Sequence, residues 1–486
     1  MGPAPAKFNG ARASEFVHGA VTFAAMHQTI VIVGAGFCGT VLAANLLRSP
    51  GRKDIVLVER GTSIGRGVAY ASHEVPYVLN VPAGRLSVQP DDALHFLRYV
   101  RQFRPDADAE EFMPRSMFGD YLQEVLDEAE TTAPSGVVLK RVFGEVTGIE
   151  QAVGEKPLRV QVRGHAPVAA DRVVLALGNP PAAVQPWARG LLHHPGYIHD
   201  PWSIRQPLRA QHSVLIVGSG LTMVDVAFGL SREGGQMPQV RAISRHGLLP
   251  LGQTIFRPKS VKDDGEFLVS AVSIRRVLAM SRALSARVEQ TGGDWREVVT
   301  FIRHLAPDLW RRLPEKERRR FLRHVQCYWD VHRHRVPPSM AARIDHMRRS
   351  GRLSVDAGRI HELLPEGNEL RVIWRRRGAR ENESFAVNAV INATGPDYAL
   401  RRSADALVRS LRTAGMVSED PLNLGLRTAR HGACVAADGS ASSHLFYLGP
   451  MLRADHWEAT AVQELRAHAE QLARHLSDSP LSDSAR

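Results

Sequence analysis

Unbroken apolar runs separated by small-residue helical stretches organise this chain. "TIVIV" (29–33) and "DIVLVER" (54–60) read as strands too apolar to face water, and "TVLAANLLRSP" (40–50) between them reads as a helix. The same order returns at "SVLIV" (213–217), "LTMVDVAFGLSR" (221–232) and "QVRAIS" (239–244). Two further runs, "DRVVLALGNPP" (171–181) and "NAVINATGPD" (388–397), end in Gly and Pro, which lead a chain out of one unit towards another. A helical stretch rich in Arg and His follows at about 270–350, too long for a bare strand–helix–strand unit.

The glycines give these runs a chemistry. The first strand enters Gly34-x-Gly36-x-x-Gly39. Gly34 permits a tight turn, Gly36 lets a pyrophosphate approach the backbone, and Gly39 lets the next helix pack close to its strand. The helix N-terminus, beginning around Phe37, turns its N–H groups and positive dipole end to the phosphates. Glu59 ends the second strand twenty residues past Gly39, where a carboxylate binds free ribose hydroxyls.

The second unit carries Gly218-Ser219-Gly220 and then Leu221 and Thr222, with Met223 where a third glycine would stand. Its helix must therefore pack further from its strand, with the phosphate turn kept. The strand after it ends in Ser244-Arg245-His246, without a carboxylate. A hydroxyl plus a guanidinium suits a 2′-phosphate, so NADPH is expected over NADH, although Arg245 stacking on an adenine is the alternative. Two different dinucleotide sites imply that hydride passes from a nicotinamide to a second carrier, and FAD is the dinucleotide that accepts it. The expected fold class is α/β, with two nested Rossmann-like dinucleotide-binding domains. Residues 26–205 and 390–470 form the FAD domain. Residues 206–389 form the inserted NAD(P)H domain, with a helical insertion at about 270–350. Residues 1–25 and 476–486 are expected to be disordered.

Composition narrows the class without naming a substrate. With 486 residues, 44% hydrophobic and 23% charged, the chain can bury a large core without staples. No window approaches the roughly 18 apolar residues of a membrane span, no signal-peptide layout is present, and the cytoplasm is the default location. Cys38, Cys327 and Cys434 are far apart, which argues against a disulfide framework, a zinc ribbon or a dithiol reductase. The net charge is +12, much of it Arg scattered over predicted helices as a solvated face. No aromatic-interleaved basic stripe marks a nucleic-acid surface, so a tRNA-modifying flavoprotein is a remote reading. His332-x-His334 place their rings on different helix faces, and no metal site is expected.

Several segments carry a wider likeness: "IGRGVAYASHEVPYVLNVPAGRLS" (64–87), "FMPRSMFGDYL" (112–122), "GYIHDPW" (196–202), "AISRHGLLP" (242–250), "YWDVHRHRVPP" (328–338) and "LGPMLRADHWEATAVQELR" (448–466). Together they resemble a bacterial family of single-component FAD/NAD(P)H-dependent monooxygenases that includes FAD-dependent urate hydroxylase and L-aspartate N-monooxygenase. The resemblance implies reduction of FAD by NAD(P)H, use of O2, and oxygen transfer through a C4a-hydroperoxyflavin to a small anionic substrate. Urate is the first expectation, for the compact length, with L-aspartate as the alternative. An uncoupled NAD(P)H oxidase or electron-transfer flavoprotein is the rival class. Two departures stand out. "GYIHDPW" is one residue short of the F-x-G-x-x-x-H linker and lacks its Phe, and Pro450 follows Gly449 where reductase relatives have Asp.

Single residues complete the expectation. Arg66 is placed at the FAD pyrophosphate, Asn80 at the isoalloxazine edge, and Gly449 and Met451 at the ribitol through the backbone. Arg85, Arg333 and Arg335 are candidates for holding the substrate anion, and His199, with Trp202, for touching the nicotinamide or packing the hinge. Glu458 is expected to cap a helix N-terminus. Assembly with further copies of the chain stays open.

Overall fold

A computed structural model describes residues 27–478 apart from 72–74, 153–155, 205–207, 210, 232–236, 255–260, 262–266 and 268–269. The extension expected over 1–25 lies outside the described residues. In chain order the strands begin with β1 (Gln28–Val33), β2 (Lys53–Glu59), β3 (Val137–Phe143), β4 (Val146–Gln151), β5 (Leu158–Val162), β6 (Val168–Ala170), β7 (Arg172–Leu175) and β8 (Tyr197–Ile198). They continue with β9 (Ser213–Val217), β10 (Gln239–Ser244), β11 (Leu353–Glu366), β12 (Glu369–Arg376), β13 (Glu383–Val387), β14 (Ala389–Asn392), β15 (Ala433–Val435) and β16 (Ala441–Tyr447).

The protein is a mixed α/β structure built on two large sheets, ordered β15-β16-β7-β1-β2-β3 and β13-β12-β11-β10-β9-β14-β8. In the first, β1 lies between β2 and β7, parallel to both, with Val33 opposite Val58 and Leu175. In the second, β9 lies between β10 and β14, parallel to both, with Val217 opposite Ile243 and Asn392. Each glycine turn therefore leaves the carboxyl edge of a central strand, where open α/β sheets bind ligands. The central strands are apolar on both faces because both are covered: Ile30, Ile32, Val214 and Ile216 are fully buried.

Helix α1 (Phe37–Arg48) joins β1 to β2, and α2 (His95–Phe103) and α3 (Arg115–Thr131) lie between β2 and β3. Helix α4 (Leu221–Leu230) joins β9 to β10. Between β10 and β11 come α5 (Ile274–Gln290), α6 (Trp295–Arg312), α7 (Glu315–His324), α8 (Gln326–Arg333) and α9 (Pro338–Arg349). Helices α10 (Ala406–Thr413) and α11 (Val462–Asp478) return the chain to the first sheet's side. A small antiparallel sheet, β4-β5-β6, and the antiparallel meander β11-β12-β13 extend the two units. Strand β11 serves both halves of its sheet: its first residues pair parallel with β10, and from Gly358 it pairs antiparallel with β12, through a bulge at Ile360/Glu362.

Two expected boundaries shift. Tyr197–Ile198 and Ala389–Asn392 hydrogen-bond within the second sheet, so residues expected in the FAD domain on both sides of the insertion belong to the other unit's sheet. Pairing decides this, since a short apolar strand fits either sheet equally. The C-terminal helix continues past 476 because Leu476 is fully buried against the first unit's core; only 479–486 of the expected tail lie outside the described residues.

Candidate functional site

At the first turn Gly34 and Gly39 are required by contact. Gly34 has φ +101°, and a Cβ there would lie 2.4 Å from the Ala176 carbonyl oxygen; at Gly39 it would lie 1.9 Å from that of Gly34. Gly36 caps α1 and faces Gly67, whose Cα would be 3.6 Å from a Gly36 Cβ. The Gly65 N–H donates to the Ala35 carbonyl at 2.8 Å, folding the 64–67 loop over the turn. Glu59 accepts from the Ala35 and Gly61 N–H groups, each at 2.8 Å. Its carboxylate is thereby pinned beneath the turn with lone pairs left for ribose hydroxyls.

Two expected contacts are already engaged. Arg66 forms an ion pair with Asp120 on α3, and the Phe37 ring stacks on Phe118 at 6.3 Å beside Tyr70, forming a wall of the turn. Asn80 lies on a segment (77–80) that pairs with 113–115, where the Leu79 N–H donates to the Met113 carbonyl at 2.8 Å. The Asn80 carbonyl accepts from Gln253 Nε2 at 3.1 Å, a contact from the second unit that the sequence did not signal. At the far strand end, Gly449 has φ +155°, and the Met451 N–H donates to the buried Tyr447 hydroxyl at 3.0 Å. Aromatic burial is what shapes this turn.

The second turn repeats the first. Gly218 has φ +116°, and a Cβ there would lie 2.3 Å from the Ala393 carbonyl oxygen, as Gly34 meets Ala176. Gly220 caps α4 and faces open space, leaving the N–H groups of Leu221 and Thr222 at a free helix start. Ser219 Oγ lies 2.7 Å from Ser244 Oγ and 2.6 Å from the Leu248 carbonyl oxygen, and the Gly247 N–H donates to Ser244 at 2.9 Å. Ser244 thus stiffens the turn. Arg245 is exposed. Burial, then Arg377, Arg245 and Arg359, push the neighbouring His246 imidazole below its ordinary value, so three guanidiniums converge at this strand end. Arg359 and Arg377 were not foreseen, because they arrive from the strands of the meander.

His199 stands apart from the arginine candidates. Its Nδ1 lies 3.4 Å from Tyr197 Oη and 3.4 Å from Asn392 Nδ2, at the edge of the second sheet, while Trp202 packs edge-on against Tyr77.

Arg85, Arg333 and Arg335, by contrast, come together where the helical insertion meets the 449–464 segment. Burial, then Arg296 and Arg333, lower Arg335 to about 10, with Arg85 adding to the effect. Burial and the guanidiniums of Arg333, Arg453 and Arg303 hold His334 down to about 3, so the imidazole is neutral. In both groups burial leads and neighbouring guanidiniums act in the same direction. Within the cluster, Arg333 Nε donates to Glu458 at 2.8 Å, and Trp329 Nε1 donates to the other carboxylate oxygen at 3.1 Å. Glu458 is 3% exposed and anchors the insertion, so it does not act as a helix cap. Arg303 pairs with Glu464, Arg85 pairs with Glu110, and the Arg85 carbonyl accepts from Gln463 at 3.4 Å. Buried N–H donors at Arg333 Nη2, Arg303 Nε and Arg453 Nε lack an acceptor. Asp330 is lifted to about 6 by desolvation, with Arg453 opposing, although 39% of its side-chain surface still meets solvent. Arg296, Arg303, Arg453 and Asp330 are additions to the expected set.

Among the described residues no group of His, Cys, Asp and Glu could hold a metal ion, and no helix is long and apolar enough to cross a membrane. Burial raises the Cys38 and Cys434 thiols to about 12.

Two sheets, each opening at its carboxyl edge onto a glycine turn and a helix N-terminus, define a two-dinucleotide-domain protein. Residues 31–180 match the family model described as FAD-NAD(P)-binding. No curated protein matches the chain. Among solved structures it resembles the ornithine N-hydroxylase of Kutzneria sp. 744, solved with reduced FAD, NADP+ and L-ornithine, at 16% identity and TM-score 0.59, over 93% of this chain and 99% of that one. The FAD-bound cadaverine monooxygenase of Erwinia amylovora gives 12% identity and TM-score 0.62, over 94% and 96%. The L-lysine 6-monooxygenase of Pseudomonas syringae gives 15% and 0.60, over 93% and 100%. At these identities the likeness establishes the fold, that of flavin monooxygenase structures.

Proposed function

We propose that this protein is an FAD-dependent monooxygenase that oxidises NADPH and hydroxylates the nitrogen of a small anionic amine, with L-aspartate as the leading substrate. The observation that carries the substrate class is the set of buried N–H donors at Arg333 Nη2, Arg303 Nε and Arg453 Nε that lack an acceptor. The structural neighbours named above act on ornithine, cadaverine and lysine, so nitrogen is the atom the fold commends. An amino acid with a second carboxylate supplies acceptors for these buried N–H donors, which the ammonium groups of a diamine cannot do. Urate, the first expectation from the sequence, brings an anion but no amine, and passes to second place.

FAD, when bound, supplies the acceptor for the electrons of NADPH and the site where O2 is reduced. Gly34, Gly36 and Gly39 would admit its pyrophosphate, Glu59 its ribose, and the 449–451 backbone its ribitol; Asn80 would line the isoalloxazine edge. Phe37 would wall the turn, and Arg66, held by Asp120, would set the potential beside it. Gly218, Ser219, Gly220, Leu221 and Thr222 would cradle the NADPH pyrophosphate. Arg245, helped by Arg359 and Arg377, would take the 2′-phosphate, with Ser244 bracing the turn. His199 would pack the hinge. Arg333, Arg303 and Arg453 would orient substrate carboxylates, Arg85 and Arg335 would add positive charge, and Asp330 would accept the proton that the amine must lose. Orientation of this kind is worth several powers of ten in rate.

The test follows O2 uptake and H2O2 release by the flavoprotein with NADPH alone and with L-aspartate, urate or L-ornithine. Aspartate is expected to speed NADPH oxidation, suppress peroxide and yield an N-oxidised product. Acceleration by urate alone or ornithine alone overturns the substrate assignment. Peroxide release unchanged by any of the three overturns the monooxygenase reading in favour of an oxidase.

A further inference from the structure

Besides Arg333–Glu458, a second buried ion pair links the two dinucleotide units, and it joins α3, which packs against the α1 helix of the first turn, to α4, which carries the second. Arg115, the first residue of α3, donates through Nη2 to Asp225 Oδ2 at 2.8 Å. Asp225 lies on α4, one turn beyond the Gly220 cap, and its side chain is 7% exposed; that of Arg115 is 19% exposed. The same guanidinium donates through Nε to the Val78 carbonyl at 3.1 Å, two residues before Asn80. The Arg115 N–H also donates to the Tyr77 carbonyl at 2.8 Å. Around the pair the contact is tight: a Cβ on Gly229 of α4 would lie 3.3 Å from the Tyr77 hydroxyl. Further along α3, Gly119 packs beneath Tyr70 and Arg66 of the loop that covers the first turn.

These contacts place a single cation between the helix that receives one dinucleotide and the strand-like segment that borders the other. Burial in the docked arrangement raises the Asp225 carboxyl and Arg115 opposes this, so the docked carboxylate depends on Arg115 for compensation in a way that a hydrated one does not. Breaking a buried pair by removing one partner strands the other charge, which penalises the undocked arrangement of a charged Arg115 much less than the docked one. Gln253 reaching the Asn80 carbonyl is a second tie to the same segment, yet it is a neutral one.

We propose that Arg115 and Asp225 are positioning residues that hold the NADPH-bearing helix in register with the flavin-bordering segment 78–80, so that hydride transfer from NADPH to FAD requires the pair. This rests on the function proposed above. The step is a two-electron transfer in which NADPH is oxidised and FAD is reduced. Neither residue touches the reacting atoms.

The experiment uses the full-length flavoprotein as wild type, Asp225→Asn, Arg115→Gln and Arg115→Lys. Flavin content, anaerobic flavin reduction by NADPH and by dithionite, and small-angle X-ray scattering of the cofactor-free protein are measured on each. Asp225→Asn and Arg115→Gln are expected to slow reduction at saturating NADPH by about 10- to 100-fold, the penalty of a small misplacement. Flavin content, the half-saturating NADPH concentration and the dithionite rate should stay near wild type. Arg115→Lys, which keeps the charge, should recover part of the rate, and Asp225→Asn should broaden the scattering profile. Wild-type reduction rates in both neutral variants overturn the proposal. So does failure of Asp225→Asn and Arg115→Lys alike to fold or retain flavin, since the pair would then be structural. A wild type that NADPH does not reduce overturns the proposed function instead; the scattering comparison then decides the docking role, and unchanged profiles overturn it.

Discussion

Arg245 stands exposed at the end of β10 with Arg359 and Arg377 at hand, and nothing acidic follows the strand. A guanidinium so placed distinguishes a 2′-phosphate from a 2′-hydroxyl by charge-assisted hydrogen bonds. Arg245→Ala should therefore raise KM for NADPH roughly tenfold or more, the worth of a hydrogen bond to a charged group, and leave KM for NADH near its starting value. Steady-state kinetics with both coenzymes checks this; equal effects on the two would point to adenine stacking. At this scale the sequence was informative where spacing carries chemistry, as with Glu59 counted from Gly39. It offered Arg85 and, separately, Arg333 or Arg335 as candidates, with no sign that they meet in space and none of their partners. Glu458, 125 residues from Arg333, looked like a capping residue because local sequence cannot reveal a partner so distant. Arg115 and Asp225, 110 residues apart on different helices, gave no signal at all.

Among the elements, the two turns share one construction yet differ in tolerance. Helix α1 approaches β1 so closely that Gly39 has no room for a methyl group, whereas α4 accommodates the fully buried Met223 at the matching place. Gly39→Ala should yield protein without the yellow flavin absorbance, because either the Gly34 carbonyl or the whole helix must move. Gly220→Ala meets open space and should retain its flavin; absorbance spectra of the two purified variants decide. The strand–turn–helix units were readable since their periodicity and glycines are local. Membership of β8 and β14 was not. Short apolar strands have no mark of their sheet, and only the pairing of β14 with β9 and of β8 with β14 assigns them. The end of α11 was misjudged for a related reason: Ser, Asp and Pro in the tail suggested disorder, while Leu476 had a pocket to fill.

Across the whole molecule, histidines packed in neutral form make stability depend on pH. Desolvation, reinforced by His456 and opposed by Glu464, lowers His468 to about 4 from 6.5, and His334 falls to about 3. Between the folded and unfolded values the unfolded chain binds more protons, so folding stability is greatest above about pH 6.5 and declines as pH falls towards 4, by at most about 1.4 kcal/mol per unit for His468 and by less for His334, whose side chain is 35% exposed. Denaturant unfolding at several pH values should show this slope, and His468→Gln should reduce it; an unchanged slope would assign the effect elsewhere. The nested layout was legible from the repeated turns, although the way the insertion leans on the 449–464 segment was not. The split first sheet also bears on synthesis. Strand β7 ends at Leu175, its neighbour β16 begins at Ala441, and α11 packs against α1. On a ribosome adding about 5–20 residues per second, the stretch between those strands takes roughly 13–50 s. Throughout that interval the nascent first unit has an unpaired sheet edge, and the inserted unit emerges entire before the outer one can close. Closure of the first sheet consequently waits for β16, and until that strand arrives the bare flank of β7 is a defined surface for a chaperone to shield.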